Sequence, residues 1–221
     1  MSIADNLQEI NSRLTDKCRL VAVSKTKPAS AIQEAYEAGQ RIFGENRPQE
    51  MQGKAKELPE NIDWHMIGHL QSNKVKYIAP FVHTIHSVDK LSLLEEINRR
   101  AAQHNRTITV LLQMHIAEEE SKFGMNETEA TALLNSAAYA EMQNIEVVGV
   151  MGMATFTEDK TQIREEFKTL KSIFDQLKMS HFLHNAAFKE ISMGMSGDFE
   201  IAMEEGSTLV RVGSSIFGAR G

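Results

Sequence analysis

Short runs of apolar residues recur along the whole chain, and each is followed by a more polar stretch. The Val-Leu-Leu run at 110–112 is an example. Such nearly continuous apolar runs are typical of strands in a parallel sheet that is buried on both faces. The pattern predicts eight strands, which cover residues 19–25, 41–44, 63–68, 84–87, 107–115, 146–151, 190–194 and 209–213.

The stretches around these runs carry apolar residues three and four positions apart, which is the spacing of an amphipathic helix. In residues 127–141, for example, Ala130, Leu133, Leu134 and Ala137 share one face. One further helix precedes the first strand. The predicted helices cover residues 3–15, 29–38, 48–57, 73–78, 90–103, 127–141, 160–178 and 198–205.

Strands and helices therefore alternate, each strand but the last is followed by a helix, and no change in composition marks a linker. The simplest fold for this order is a single (β/α)₈ barrel of the TIM type with an extra N-terminal helix, forming one domain over residues 1–221. A doubly wound open sheet is the alternative. The first strand–helix turn has no Gly-x-Gly-x-x-Gly, so a dinucleotide-binding fold gains no support.

Composition excludes several classes of function. The formal net charge of −6 argues against nucleic-acid binding, which requires a strongly basic surface. Cys18 is the only cysteine, which rules out an internal disulfide and leaves a cysteine-based zinc site without support. Charged residues interrupt the first 20 positions, and no segment approaches the length of a membrane span. We expect a cytoplasmic protein that binds neither membranes nor nucleic acid.

Candidate chemistry lies where the predicted strands end. Lys25 ends the first strand, and its amine can condense with an aldehyde. Glycine- and hydroxyl-rich turns follow the last two strands, at 193–197 and 211–215, where barrels often bind phosphate. Together these features suggest a phosphorylated aldehyde, of which pyridoxal phosphate is the common one. A solvated lysine is the alternative for Lys25, and Lys27 is the less shielded candidate.

In these late turns, Ser196, Gly213 and Ser214 are candidate phosphate ligands, although helix capping is an alternative role for such residues. Arg211 lies within the last strand, and a buried arginine needs a partner. A pyridine nitrogen or a carboxylate on a neighbouring strand is suitable. His65, His69, His83 and His86 invite a metal interpretation, but their spacing does not support one, and we expect no metal.

Several segments resemble signatures of the pyridoxal-phosphate homeostasis proteins, which are similar to the barrel domain of alanine racemases. The resemblance spans nearly the whole chain in the correct order. The matching segments are AVSKTKP at 22–28, FGEN at 43–46, WHMIGHLQSNK at 64–74, SMGMS at 192–196 and GSTLVRVG at 206–213.

The resemblance implies a barrel that holds pyridoxal phosphate as an internal aldimine on Lys25. It also implies that Asn46 lies beside the cofactor, and that Ser196 and the 213–214 turn (Gly213 and Ser214) hold the phosphate. Arg211 is expected to face the pyridine nitrogen. Since arginine donates hydrogen bonds and disfavours protonation of the ring, the cofactor is a weaker electron sink in such a site.

The chain ends at Gly221, shortly after the last predicted strand, without the additional β domain of alanine racemases. We therefore expect a non-catalytic carrier and regulator of intracellular pyridoxal phosphate, monomeric, which passes the cofactor to apoenzymes. A small racemase or decarboxylase using the same cofactor is the alternative, and weak racemase-type activity fits either interpretation. A lysine-dependent aldolase acting on a sugar phosphate is a third hypothesis, because it also needs a barrel lysine and a phosphate site.

Overall fold

Eight parallel strands close into a barrel in which each strand pairs with the next, and the last pairs with the first. The computed structural model describes residues 2–118 and 123–218. The strands are β1 (Arg19–Val23), β2 (Ile42–Glu45), β3 (Asp63–Met66), β4 (Thr84–Val88), β5 (Ile108–Gln113), β6 (Ile145–Met151), β7 (Glu190–Met195) and β8 (Leu209–Val212). The predicted TIM-type barrel is confirmed, and the β1–β8 pairing excludes an open sheet.

Helices surround the barrel. A 3₁₀ helix, Ser72–Tyr77, connects β3 to β4. Of the helices in the described residues, none is long and apolar enough to span a bilayer. The α-helices are α1 (Ile3–Arg13), α2 (Ala29–Glu37), α3 (Pro48–Glu57), α4 (Leu91–Gln103), α5 (Glu127–Leu134), α6 (Ala137–Ala140), α7 (Lys160–His181), α8 (Phe199–Glu204) and α9 (Ser214–Phe217).

Two details of the predicted helices were wrong. The single helix over 127–141 is divided into α5 and α6, because the Ser136 hydroxyl accepts a hydrogen bond from the Tyr139 amide and starts a new helix. The last strand is followed by a helix after all, since α9 begins directly after Gly213. Helices of four residues, such as α6 and α9, are too short to show a periodicity that can be recognised from the sequence.

The alternation of side chains along the strands decides what enters the barrel. In β1, Leu20 and Ala22 pack outward with the helices, whereas Val21 lies in a separate cluster inside the barrel. In β8, Leu209 belongs to that inner cluster. Position 25 continues the inward series of β1, as position 211 continues that of β8. The parity of two short strands thus directs a lysine and an arginine toward the barrel axis.

Candidate functional site

A cavity of about 540 Å³ opens at the carboxyl ends of the strands. Its size falls within the range of small-molecule sites, and its place is where barrel enzymes bind their ligands. The structure brings together every residue for which a binding role was predicted. The cavity wall includes Lys25, Asn46, Ser196, Arg211, Gly213 and Ser214.

Lys25 lies two residues beyond the end of β1 and is half-buried in the cavity wall. Lys27 also lines the cavity, so the sequence order alone does not separate the two amines. Between them, Thr26 adopts a left-handed backbone conformation, with φ of 65°. This conformation is uncommon for a β-branched residue, and such outliers persist where surrounding contacts hold them. Specific contacts therefore hold the backbone next to Lys25 in one conformation.

Asn46, just after β2, presents an enclosed side-chain oxygen, Oδ1, that has no hydrogen-bond partner within the described residues. Gly68 allows this close approach, because a Cβ there would lie 2.7 Å from the carbonyl oxygen of Asn46. A buried acceptor without a partner is costly unless a ligand supplies a donor. The wall beside Asn46 thus suits a ligand that carries a hydroxyl or a similar donor.

The two late turns meet at Ser196 and Gly213. The Gly213 amide donates to the Ser196 hydroxyl at 3.3 Å, so this serine contacts the neighbouring turn. Gly213 also lies against β1, where a Cβ would be 2.9 Å from the carbonyl oxygen of Val23. Helix capping does not account for Ser196, since α8 begins after Asp198. The turns form a polar corner that faces the cavity, with the Ser214 backbone beside it.

Arg211 is 4% exposed and forms part of the cavity floor. Its guanidinium donates to the Ser192 hydroxyl at 2.6 Å and to the Gly152 carbonyl at 3.1 Å. Within the described chain no carboxylate lies at ion-pair distance, so the predicted strand carboxylate is not its partner. Burial lowers the pKa of Arg211 to about 10, which still leaves it charged at neutral pH. It therefore remains a hydrogen-bond donor with N–H groups to spare.

Below Arg211, a chain of hydrogen bonds continues through the barrel. Ser192 bonds to His86 Nδ1 at 2.9 Å, and His86 Nε2 bonds to His65 Nδ1 at 2.8 Å. His65 borders a smaller cavity of about 280 Å³ at the opposite mouth. Burial, reinforced by the charge of His83, lowers the pKa of His65 to about 3. Both bonded histidines are neutral at physiological pH, since burial also lowers the pKa of His86 well below its ordinary value.

The sequence prediction did not assign these histidines a role. Their positions in β3 and β4 place both rings inside the barrel, but their contact depends on the stagger between strands. Among the described residues, no set of three histidine, cysteine or acidic side chains is arranged to hold a metal ion. The pairing is therefore a buried neutral network.

An ion cluster lies behind the end of β1. Lys54 of α3 donates to Glu45 Oε1 and to Glu50 Oε1, each at 2.7 Å, and to the Ser24 carbonyl at 2.9 Å. Burial raises the pKa of Glu45, although hydrogen bonds from Lys54 and Ser24 act against this shift. Its second oxygen, Oε2, has no partner among the described residues. The sequence analysis also missed this cluster.

A histidine stands at the rim. His69 Nδ1 lies 3.5 Å from an oxygen of Asp89, and the imidazole stacks on Phe123 with 4.0 Å between ring centroids. His69 lines the cavity, as does the highly exposed side chain of Phe156. The rim thus combines aromatic surface with an imidazole that lies beside a carboxylate.

Comparison with known proteins gives full-length matches. The family described as alanine racemase, N-terminal domain, matches residues 1–221. The pyridoxal phosphate homeostasis protein of Aquifex aeolicus is 36% identical over 231 residues, covering 100% of this chain and 99% of the relative. The protein of the same name from Escherichia coli (strain K12) is 36% identical over 232 residues, covering 99% and 97%.

Among solved structures, PipY of Synechococcus elongatus with pyridoxal phosphate bound has a TM-score of 0.89. It is 35% identical, and the match covers 98% of this chain and 100% of PipY. The form of PipY without pyridoxal phosphate has a TM-score of 0.91. Sequence and fold agree from one end of the barrel to the other, and the chain belongs to the pyridoxal phosphate homeostasis family, whose barrel is the alanine racemase N-terminal domain.

Proposed function

We propose that this protein binds pyridoxal 5′-phosphate in the upper cavity, with Lys25 as the covalent attachment point. In this role it holds the cofactor within the cell and releases it as a carrier. The observation that carries the proposal is the convergence of an amine, a polar turn pair and a buried arginine on one cavity. A relative 35% identical over its full length was solved with pyridoxal phosphate bound, which supports this assignment.

The residues of the wall fit this cofactor. Pyridoxal phosphate supplies an aldehyde that an amine captures reversibly, a ring hydroxyl, a ring nitrogen and a phosphate. Asn46 offers the enclosed acceptor for a hydroxyl, and Arg211 offers donors to a ring nitrogen. Ser196 and the backbone at 213–214 offer donors for phosphate oxygens. Each functional group thus has a complementary residue.

Arg211 also limits the chemistry. Its guanidinium donates to a ring nitrogen and disfavours protonation there, which weakens electron withdrawal by the ring. Contacts to Ser192 and Gly152 hold the guanidinium in place, so it is not free to withdraw. This arrangement fits a holding role and is compatible with racemisation, but it weakens the case for reactions that need a strongly stabilised carbanion. The carrier acts as a monomer in the cytoplasm and delivers the cofactor to apoenzymes.

Attachment is tested by reducing the loaded protein with borohydride and mapping the labelled peptide. We expect the label on Lys25 and its loss in Lys25→Ala, together with loss of the visible absorbance of the bound cofactor. Lys27→Ala is the matched control, since this lysine lines the same cavity two residues away. A label elsewhere in the wild-type protein would reject Lys25 as the attachment point.

Delivery is tested separately, by mixing loaded protein with a pyridoxal-phosphate-dependent apoenzyme. Both reactions contain an amine that traps free cofactor. Activity should return faster with the loaded protein than with the same total concentration of free cofactor. If the loaded protein and free cofactor restore activity at equal rates in the presence of the scavenging amine, direct transfer is contradicted. A sedimentation measurement of the loaded protein reports the oligomeric state in the same preparation.

A small amino-acid racemase is the second candidate, favoured by the His69–Asp89 pair at the cavity rim. In a racemase, His69 would move a proton at the α-carbon of the bound amino acid. Amino acids incubated with the loaded protein in deuterium oxide should then exchange the α-hydrogen, and His69→Gln should abolish the exchange. Exchange no faster than with free cofactor would exclude this activity.

A further inference from the structure

Two lysines of similar chemistry line the cavity, and the fold must select between them. We propose that the buried ion cluster of Glu45, Lys54 and Glu50 fixes the backbone on both sides of Lys25 and thereby makes Lys25, not Lys27, the attachment point. This inference rests on the proposed function, because it concerns which amine captures the aldehyde. The three cluster residues are positioning residues and do not contact the ligand.

The cluster holds Ser24, on the N-terminal side of Lys25, through several bonds. The carbonyl of Ser24 accepts from Lys54 Nζ at 2.9 Å, and the hydroxyl of Ser24 donates to Glu45 Oε1 at 2.6 Å. The Ser24 amide donates to the Gly44 carbonyl at 3.0 Å, which continues the β1–β2 ladder. Ser24 and Glu45 are both fully buried. The residue before Lys25 therefore has little freedom to rotate.

On the C-terminal side, the cluster holds Thr26. Its amide donates to Glu50 Oε1 at 2.7 Å, the same oxygen that accepts from Lys54. A left-handed backbone is unfavourable for a β-branched residue, and a hydrogen bond to a carboxylate is a strong one that offsets this cost. The bond turns the chain immediately after Lys25. Lys27 is thus redirected relative to the strand, and its own amide bonds back to the Ser24 carbonyl at 3.0 Å.

Lys54 connects the two sides. It is buried, and its ammonium reaches both carboxylates and the Ser24 carbonyl. Removing that charge leaves the Glu45 carboxylate buried without a cation, with the Ser24 hydroxyl as its remaining donor, and releases Glu50 from its ion pair. Ser24 and Thr26 then lose their shared anchor together. Loss of Lys54 should therefore alter which lysine reaches the aldehyde, beyond any general loss of stability.

The test is the ratio of borohydride-reduced label on Lys27 to that on Lys25. In the wild type the label should lie on Lys25, and in Lys54→Met the Lys27:Lys25 ratio should rise about tenfold, a change of about 1.4 kcal/mol. Lys54→Arg keeps a buried cation with several donors and should restore most of the selectivity. Lys171→Met is the control, because Lys171 does not line the cavity and its ammonium forms an exposed pair with Asp175 within α7.

A second measurement needs no cofactor. Trace acetylation of the unloaded protein, followed by peptide mapping, compares the intrinsic reactivity of Lys25 and Lys27. Lys54→Met should change this ratio, whereas Lys171→Met should not. Thr26→Gly accepts the left-handed conformation without strain, so Thr26→Gly combined with Lys54→Met should recover part of the wild-type ratio.

Glu50→Gln keeps the inference testable if Lys54→Met does not fold, because the Glu50 side chain lies nearer the surface. It should shift the label in the same direction by a smaller factor. Label on neither lysine in the wild type would reject covalent attachment itself. Label on Lys25 in the wild type and an unchanged ratio in folded Lys54→Met or Glu50→Gln would overturn the role of the cluster while leaving attachment intact.

Discussion

The buried histidines should make the barrel sensitive to acid. His65 has a folded-state pKa of about 3, against an ordinary value of 6.5, because it is buried beside His83. Between those two values the unfolded chain binds more protons than the folded one, so stability falls as the pH falls from 6.5 toward 3. Below pH 3 both states are protonated and the loss levels off.

The size of the effect follows from the interval. A pH of 5 is 1.5 units below the ordinary histidine pKa of 6.5. At about 1.36 kcal/mol per unit, protonation of His65 in the unfolded chain lowers the free energy of unfolding by about 2 kcal/mol. His86 changes stability in the same direction. Glu45 acts in the opposite direction, because burial raises its pKa. A loss of this size is a large part of the 5–15 kcal/mol typical of folded proteins.

Urea unfolding at pH 7 and pH 5 measures the change in free energy of unfolding. His65→Asn keeps a polar atom near the Nδ1 position and does not titrate, so its loss between the two pH values should be smaller than the wild-type loss by about 2 kcal/mol. His184→Asn, at an exposed position, is the control and should behave as the wild type. An equal loss in wild type and His65→Asn would refute the reasoning.

Three further predictions concern other parts of the barrel. Gly149→Ala places a Cβ 1.8 Å from the Glu190 carbonyl oxygen and should lower the free energy of unfolding by about 3 kcal/mol in urea titrations. Burial raises the pKa of Cys18 to about 11 from 9.0, so at pH 8 its reaction with a disulfide reagent should be about 100-fold slower than in urea. Ser192→Ala removes an acceptor of Arg211 and should cost about 2 kcal/mol, with altered nitrogen shifts of the neighbouring imidazoles by NMR.

The sequence pattern was sufficient for the barrel because apolar runs and amphipathic stretches alternate clearly. It was also sufficient for the cavity. Once a barrel is assumed, the carboxyl ends of the strands meet at one mouth, and strand parity directs positions 25 and 211 inward. Lys25, Arg211 and the two late turns needed no more than this to be placed together, whereas Asn46 came from the family resemblance. Their individual roles stay predictions.

The sequence pattern did not predict contacts that depend on the exact stagger of the strands or on the rotation of a helix. The His65–His86 contact joins neighbouring strands at a spacing that only the closed barrel sets. Likewise, the sequence alone indicates an ordinary exposed ion pair between Glu50 and Lys54, which are one helical turn apart. Only the packing of α3 against the end of β1 reveals that Lys54 is buried.

The column of hydrogen bonds below the cavity ends at a group that can only donate. The Arg211 guanidinium has no acceptor, so the Ser192 hydroxyl accepts from it, while the direction of the bonds that join Ser192, His86 and His65 is set by the tautomers of the two histidines. The guanidinium at the top of the column has no lone pair to receive a proton that moves up from the far mouth. The column thus cannot pass a proton into the cavity through Arg211, and exchange of protons with a bound ligand depends on the other groups of the cavity wall.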